Sequence, residues 1–378
     1  MSEIKSGLEG VVVAQTKLSD VIGDVGRLIY SGYDIHDLAP HATIEEVAYM
    51  FWYGRLPTRP QLDEFTGDLL NRRGLPFHVM GLIRSSSQQV HPMAALRTAV
   101  SGLALGDAEA DDISRASNLR KAADLTAKLP TIVAAIDRSR KGLEALAPRN
   151  DLDHAANFLY MLHGREPREL ESRAMNLYLV LLADHGFNAS TFSARVTAST
   201  LSDLYSAITS AIGTLKGPAH GGATQAAMEQ LFAIGDVENV EGWFNKARAQ
   251  GFRLMGVGHR EYKAEDPRAR HLRQMADELA RQTDPRWFKI AEKLEKLARQ
   301  DPYFVERNLY VNVDFYSAPV LYALGIDPDL FAAVFAMSRI VGWTAHLLEQ
   351  YAANRLIRPR AEYIGPMDLH WVPIDQRE

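Results

Sequence analysis

Four short segments concentrate side chains able to do acid–base chemistry or to hold anions. In Leu215-Lys-Gly-Pro-Ala-His-Gly-Gly-Ala223, His220 lies between Pro218 and the pair Gly221-Gly222, so it cannot sit inside a helix. The glycines permit close approach of backbone or ligand. A helix beginning after Gly222 would aim free N–H groups at His220 and disfavour its protonation, leaving a neutral imidazole able to donate to a carbonyl oxygen. In Gly256-Val-Gly-His-Arg-Glu-Tyr-Lys-Ala-Glu-Asp-Pro-Arg268, His259 follows a tight Gly-x-Gly and Arg268 opens a helix. Cations beside backbone donors suit a carboxylate or phosphate. In Asn312-Val-Asp-Phe-Tyr-Ser317, Asp314 sits in apolar company, either as a structural cap or as a base with a raised pKa. The fourth feature is the pair Arg339 and Arg358. Arg339 interrupts the most apolar helix of the chain and needs a counter-charge, from a carboxylate or a bound anion. Each feature alone has an ordinary structural explanation. Together they describe two hydrogen-bond donors, a carboxylate base and a cationic cage for a polyacid.

The elements that must position these residues are mostly helical. Thr43-Ile-Glu-Glu46 reads as a capping box, and Leu62, Phe65, Leu69 and Leu70 space as one helical face closed by Gly74. Asp266-Pro267 and Asp327-Pro328 are helix starts. The second start opens a helix reaching about Asn354, roughly 40 Å long and apolar almost all round, hence buried. Strand signals are confined to Gly10–Ala14 and Gly26–Tyr30. The expected fold class is mainly α with a minor N-terminal β element.

The chain has 378 residues, too many for one small module. It contains no Cys, which excludes disulfides, thiol nucleophiles, zinc–thiolate sites and iron–sulfur clusters, and fits a reducing compartment. The net charge of −5 argues against nucleic-acid binding. No charged-then-apolar leader opens at Met1, and no apolar run reaches the ~20 residues of a membrane span, so a cytoplasmic protein with no membrane partner is expected. The charge is unevenly spread. Residues 246–300 carry 14 Lys/Arg and 8 Asp/Glu, a surplus of +6, so the remainder sums to −11. Such a region invites an anionic ligand, although exposed amphipathic helices would produce the same count. No G-x-x-x-x-G-K-[ST], G-x-G-x-x-G after a strand, G-x-S-x-G or H-E-x-x-H occurs, which counts against phosphate-loop, dinucleotide, serine-hydrolase and zinc-protease chemistry.

The segments around His220, His259–Arg268 and Asp314 resemble, in order, the signature segments of the citrate synthase family. Further matches are Gly7–Val11, Tyr30–Ile35, His91-Pro-Met, Ser338–His346 and Ile357–Pro366. The length resembles the shorter dimeric bacterial and archaeal members. The resemblance implies a condensing enzyme of the tricarboxylic acid cycle that joins acetyl-CoA to oxaloacetate and hydrolyses citryl-CoA. It implies that His220 binds the thioester carbonyl, Asp314 removes a methyl proton and His259 polarises the oxaloacetate ketone. His185 matches a further oxaloacetate ligand. Arg268, Arg339 and Arg358 match the carboxylate clamps, with Arg358 reaching in from the other subunit of a homodimer. Arg73 is a further candidate facing the substrate. Arg253, Leu254, Met255, Gly256, Val257, Lys263 and Asn312 fall in the CoA-binding segments, and this explains the basic region better than exposed helices do. No metal and no permanently bound cofactor is implied, only acetyl-CoA and CoA as cosubstrate. The implied architecture is a large helical domain, 1–218 plus 322–378, with a small CoA-binding domain, 219–321, inserted.

Two departures matter. Val311 stands where many members have Pro. Ala318 stands where many citrate synthases have Gly, as in 2-methylcitrate synthases, which use propionyl-CoA. Acyl preference is therefore left open between the two, since one methylene is worth only ~1–3 kcal/mol of discrimination. The third reading, a helical interaction protein without activity, would expect losses among these residues, and none is lost.

Overall fold

The computed structural model describes residues 4–8, 10–86 and 88–377. Met1–Glu3, where the leader pattern was sought, and Glu9, inside the Gly7–Val11 match, lie outside the described residues. Helices dominate, and the described strands form one small antiparallel sheet: β1 (Ser19–Ile22), β2 (Arg27–Tyr30) and β3 (Tyr33–Asp34), in that order. Ser19 pairs with Tyr30 and Ile22 with Arg27. The expected strand at Gly10–Ala14 is irregular and exposed instead. It has apolar β-branched residues but no strand partner among the described residues, and a strand requires a neighbour to take its hydrogen bonds. Ser19–Ile22 is less apolar, but the Gly23–Gly26 turn folds it directly onto β2.

The local helix signals act as expected. Thr43 and Glu46 form a reciprocal capping box at the start of the Ile44–Tyr53 helix. Asp266 caps the Pro267–Ala280 helix by accepting from the Arg268 amide. Asp327 does not cap; its carboxylate pairs with Lys141, and Pro328–Leu330 forms a short 3-10 turn before the Phe331–Ala352 helix. That helix passes through the centre of the molecule, packing on Arg115–Arg140, Ala189–Ser199 and Glu169–Leu182. Among the described residues it is the one helix long and apolar enough to cross a membrane, and it is buried throughout its apolar stretch by protein.

A second group of helices packs around the Asp314 segment. The Val313–Ala323 helix lies against Pro267–Ala280, Ala223–Ile234 and Arg286–Ala298. Its packing includes buried polar groups. Glu295 holds the Tyr316 hydroxyl and takes Arg273 at 2.6 Å and Arg299 at 2.7 Å. Among the described residues, several cations of 246–300 pair with acids, among them Arg248, Arg268, Arg273, Arg281, Arg286 and Arg299.

Candidate active site

The loop of His259 and the helix of Asp314 are locked together before any ligand is considered. Gly258 N–H donates to the Tyr310 carbonyl at 2.7 Å, and Asn312 N–H donates to the Gly256 carbonyl at 2.9 Å. Val257 and Val311 form a single antiparallel bridge, so the residue that replaces the family's Pro contributes to this seam. Gly256 has φ +74°, and a Cβ there would lie 2.8 Å from the Phe315 Cα. No other residue combines that backbone with that contact. Asn312 ties the ends: its amide donates to Gly258 O at 2.8 Å and its oxygen caps the Asp314 N–H at 3.0 Å.

Asp314 is thereby fixed in the first turn of its helix. Its carboxyl lies deep although the residue keeps an edge at the surface. Burial raises its pKa above the ordinary carboxylate value, against the opposing hydrogen bond from Thr224 and the field of Arg268. Thr224 begins the Ala223–Ile234 helix, immediately after the His220 turn, and donates to Asp314 Oδ1 at 2.5 Å. The His220 turn is equally tight. Gly221 N–H reaches the Leu215 carbonyl at 3.0 Å, and a Cβ on Gly221 would sit 2.3 Å from that oxygen.

The three candidate imidazoles are neutral near pH 7. Burial first, then Arg339, lowers the His220 pKa to about 4. Burial first, then Arg268, lowers that of His259 to about 4. His185 is held well below the ordinary histidine value, by burial and then by Arg268 and His259. Hydrogen bonds also set which nitrogen carries the proton. His259 Nδ1 accepts the Glu261 and Tyr262 amides at 3.0 and 3.2 Å, so the proton sits on Nε2 and is free to be donated. His220 Nε2 lies 2.8 Å from Ser190 Oγ, which also receives the Trp343 indole N–H at 3.2 Å and lies 2.7 Å from Asn188 Oδ1. Ser190 has one hydroxyl proton, which it donates to Asn188 Oδ1; turned instead to His220 Nε2, it leaves the imidazole proton on Nδ1. His185 and His259 face each other with ring centres 5.3 Å apart, and Tyr262 OH is 3.2 Å from His185 Nε2.

Two buried guanidinium groups complete the cluster. Arg268 is clamped by the carboxylate of Asp266, Nε to Oδ1 at 2.9 Å and Nη2 to Oδ2 at 2.7 Å. Arg339 donates Nε–H to the Leu182 carbonyl at 2.8 Å and lies over the Phe335 ring. It has no carboxylate within ion-pair distance among the described residues, and burial lowers its pKa. Of the two partners expected for it, the protein carboxylate is absent from that shell, which leaves room for an anion.

The remaining candidates are placed differently. Arg358 lies exposed in the irregular C-terminal tail, and no hydrogen bond or ion pair among the described residues joins it to the cluster. Arg73 is 2 % exposed and donates to the carbonyls of Arg149 and Leu152 at 2.7 and 2.8 Å. Its donors satisfy the end of a loop, and the structure does not bring it to the cluster. Leu254 and Val257 are buried, Met255 is partly so, and Arg253 and Lys263 are exposed on the same loop. Sequence reasoning passed over Ser190, Tyr262, Thr224 and Trp343 as site residues. Tyr262 lies three residues after His259 and Ser190 five after His185, and that nearness in sequence is the available signal.

The chain matches the family model described as "Citrate synthase, C-terminal domain" over residues 7–360. It is 49% identical to citrate synthase 2 of Bacillus subtilis, over 98% of each chain. It is 48% identical to a citrate synthase of Haloferax volcanii, over 99% of each. A 2-methylcitrate synthase of Mycobacterium tuberculosis is 40% identical, over 96% of this chain and 91% of its own. Among solved structures, a Pyrobaculum aerophilum citrate synthase superposes with a TM-score of 0.93 at 45% identity, covering 99% of this chain and 95% of that one. A Thermoplasma acidophilum citrate synthase in ternary complex with carboxymethyl coenzyme A and oxaloacetate superposes with a TM-score of 0.94 at 36% identity, over all of both chains.

Proposed function

Because the chain belongs to the citrate synthase family and has that family's fold, a family of condensing acyltransferases, we propose a specific division of labour for its reaction with acetyl-CoA and oxaloacetate. The observation that carries it is a desolvated Asp314, which feels both Arg268 and Arg339, together with a neutral His220 near Arg339 and a neutral His259 near Arg268. With the Ser190 hydroxyl turned to donate to its Nε2, His220 carries its proton on Nδ1 and donates it to the thioester carbonyl in a hydrogen bond. Asp314 takes a methyl proton, and charge develops on that oxygen rather than on carbon. The resulting carbon nucleophile attacks the oxaloacetate ketone, whose oxygen receives the hydrogen bond and proton of His259 Nε2. Water then cleaves the citryl thioester to citrate and CoA. A thioester methyl is a very weak acid, and a base alone supplies ~10²–10⁴-fold, so the donors aimed at the developing oxyanions carry the rest.

Arg268 and Arg339 hold the oxaloacetate carboxylates with His185, and Arg358 of a second subunit completes the clamp. Guanidinium suits this task because its planar fork meets a carboxylate at two points. The exposed loop cations Arg253 and Lys263, with the backbone through Val257 and Asn312, receive CoA. We assign 219–321 as a small domain inserted between 1–218 and 322–378, closing over the substrates to exclude water. A homodimer in the cytoplasm, at the entry to the tricarboxylic acid cycle, fits this reading. A tail that exposes Ile364, Leu369 and Trp371 supports a covering partner subunit.

The assay is thiol release with oxaloacetate and acetyl-CoA or propionyl-CoA in turn. A higher kcat/KM with acetyl-CoA is expected. A reversed preference assigns the 2-methylcitrate reaction, and no release with either substrate overturns the proposal. Subunit sharing has its own test. Inactive Arg358→Ala and Asp314→Asn homodimers, denatured and refolded together, are expected to regain about a quarter of wild-type activity, because half the dimers are mixed and each has one intact site. No recovery, with refolded wild type active, removes Arg358 from the partner's site.

A further inference from the structure

The two loops that bring His185 and His259 together are held by one small element. Ser19 and Tyr30 are paired residues at the open end of the β1–β2 hairpin. Both grip the segment around His185. Ser19 Oγ donates to the Asp184 carboxylate and accepts the Gly186 N–H at 3.0 Å. The buried Tyr30 hydroxyl accepts the Asp184 N–H at 3.1 Å and lies 2.7 Å from the Asp184 carbonyl. The other end of the hairpin meets the segment after His259. Lys263 N–H donates to the Gly23 carbonyl at 3.0 Å. A Cβ on Gly23 would lie 2.1 Å from the Glu261 carbonyl oxygen, and one on Gly26 would lie 2.5 Å from that of Glu265. Glu261 and Tyr262 are the residues whose amides fix the His259 ring, and Tyr262 OH reaches His185.

We propose that the β1–β2 hairpin is the positioning element of this site: its open end fixes the His185 segment, its turn fixes the His259 loop, and its rigidity sets how the two imidazoles face each other. A four-residue strand spans about 13 Å, and paired strands bend little over that length. The hairpin touches no reacting atom. It acts through Asp184, Gly186, Glu261 and Lys263.

Gly23→Ala is the direct test, since its methyl group must displace the Glu261 carbonyl. Displacing a site group by about 1 Å can cost up to about 10²-fold. With far-UV circular dichroism unchanged, kcat/KM for oxaloacetate is expected to fall by about that factor. The ring signals of ¹³C-labelled His259 are expected to titrate nearer the ordinary histidine value, because the loop moves outward. The exposed turn variant Val25→Ala is expected to match wild type in both readouts. Should Gly23→Ala fail to fold, Ser19→Ala tests the other end without steric strain and is expected to shift the His185 and His259 signals together. The double variant separates one fixture from two contacts. If the hairpin acts as a unit, the combined loss is smaller than the product of the single losses. Independent, multiplying effects overturn the proposal, as do wild-type imidazole signals in Gly23→Ala, or in Ser19→Ala should Gly23→Ala not fold. The inference rests on the condensing reading for its kinetics alone. A wild-type protein without thiol release would sink that reading, while the ligand-free imidazole signals would still decide the hairpin.

Discussion

Asp314→Asn is expected to fold like the wild type and to lose condensation by roughly 10²–10⁴-fold in kcat. The substitution preserves shape and keeps both local hydrogen bonds. Asn can accept from the Thr224 hydroxyl as the carboxylate does, and its amide N–H still bonds to Asn312. What disappears is the only feature Asn cannot copy, a pair of electrons basic enough to take a proton. The sign of the stability change follows from the raised pKa of Asp314. A carboxyl raised on folding costs stability wherever it is ionised, so near pH 7 the neutral amide leaves stability unchanged or slightly higher. The pH profile separates the base from the imidazoles. His220 and His259 remain neutral down to about pH 4. An acid limb that the substitution removes therefore belongs to Asp314, whereas one that persists in the residual rate belongs to the imidazoles. Thiol release and urea midpoints across pH give all three readings. Wild-type turnover in Asp314→Asn would remove the residue from the role of base.

The parts of this architecture legible in the sequence are those decided within one turn of chain. Asp266-Pro267 caps a helix because the carboxylate meets an amide two residues on, whatever lies around it. The same holds for the Thr43–Glu46 box and for the glycines bracketing His220. Gly10–Ala14 was misread as a strand because β structure depends on a partner that composition does not name. Ser190 meets His220 across 30 residues, Tyr262 meets His185 across 77, and Trp343 meets Ser190 across 153. No local pattern carries such distances. The family resemblance names reacting residues and takes in Tyr30–Ile35, but it gives no role to the hairpin, whose Ser19, Gly23 and Tyr30 do no chemistry. The resemblance alone suggests that Arg73 faces the substrate; in the fold its Nη1 donates to the carbonyls of Arg149 and Leu152, contacts between distant residues that no local pattern carries.

Arg268→Met is expected to produce a large loss of stability, together with loss of oxaloacetate binding, and its pH dependence identifies the cause. Arg268 and Asp266 are both almost wholly inaccessible and joined by two charge-assisted hydrogen bonds. Asp266 also accepts the Val313 N–H at 3.1 Å, so it ties the Pro267–Ala280 helix to the helix of Asp314. Met fills much of the same volume but leaves a buried carboxylate without its counter-charge. Breaking a buried pair on one side costs about 3–5 kcal/mol. In the wild type the net effect of burial and the Arg268 field is to lower the Asp266 pKa. A lowered carboxyl contributes stability above its unfolded value near 3.9, and that contribution is lost as pH falls through the folded value. In the variant the opposing cation is gone and burial dominates, so the folded pKa rises. The carboxyl then costs stability above its unfolded value, and the cost disappears as the group is protonated. The deficit relative to wild type should thus be largest near neutrality and shrink toward pH 4.5. Asp266→Asn added to Arg268→Met should recover much of the neutral-pH deficit without restoring oxaloacetate binding, because the buried charge is removed but the anion clamp is still missing. Urea midpoints at pH 7.5 and 4.5, with oxaloacetate titrations of the single and double variants, decide it. A deficit of the same size at both pH values would mean that lost packing, not the stranded carboxylate, is responsible.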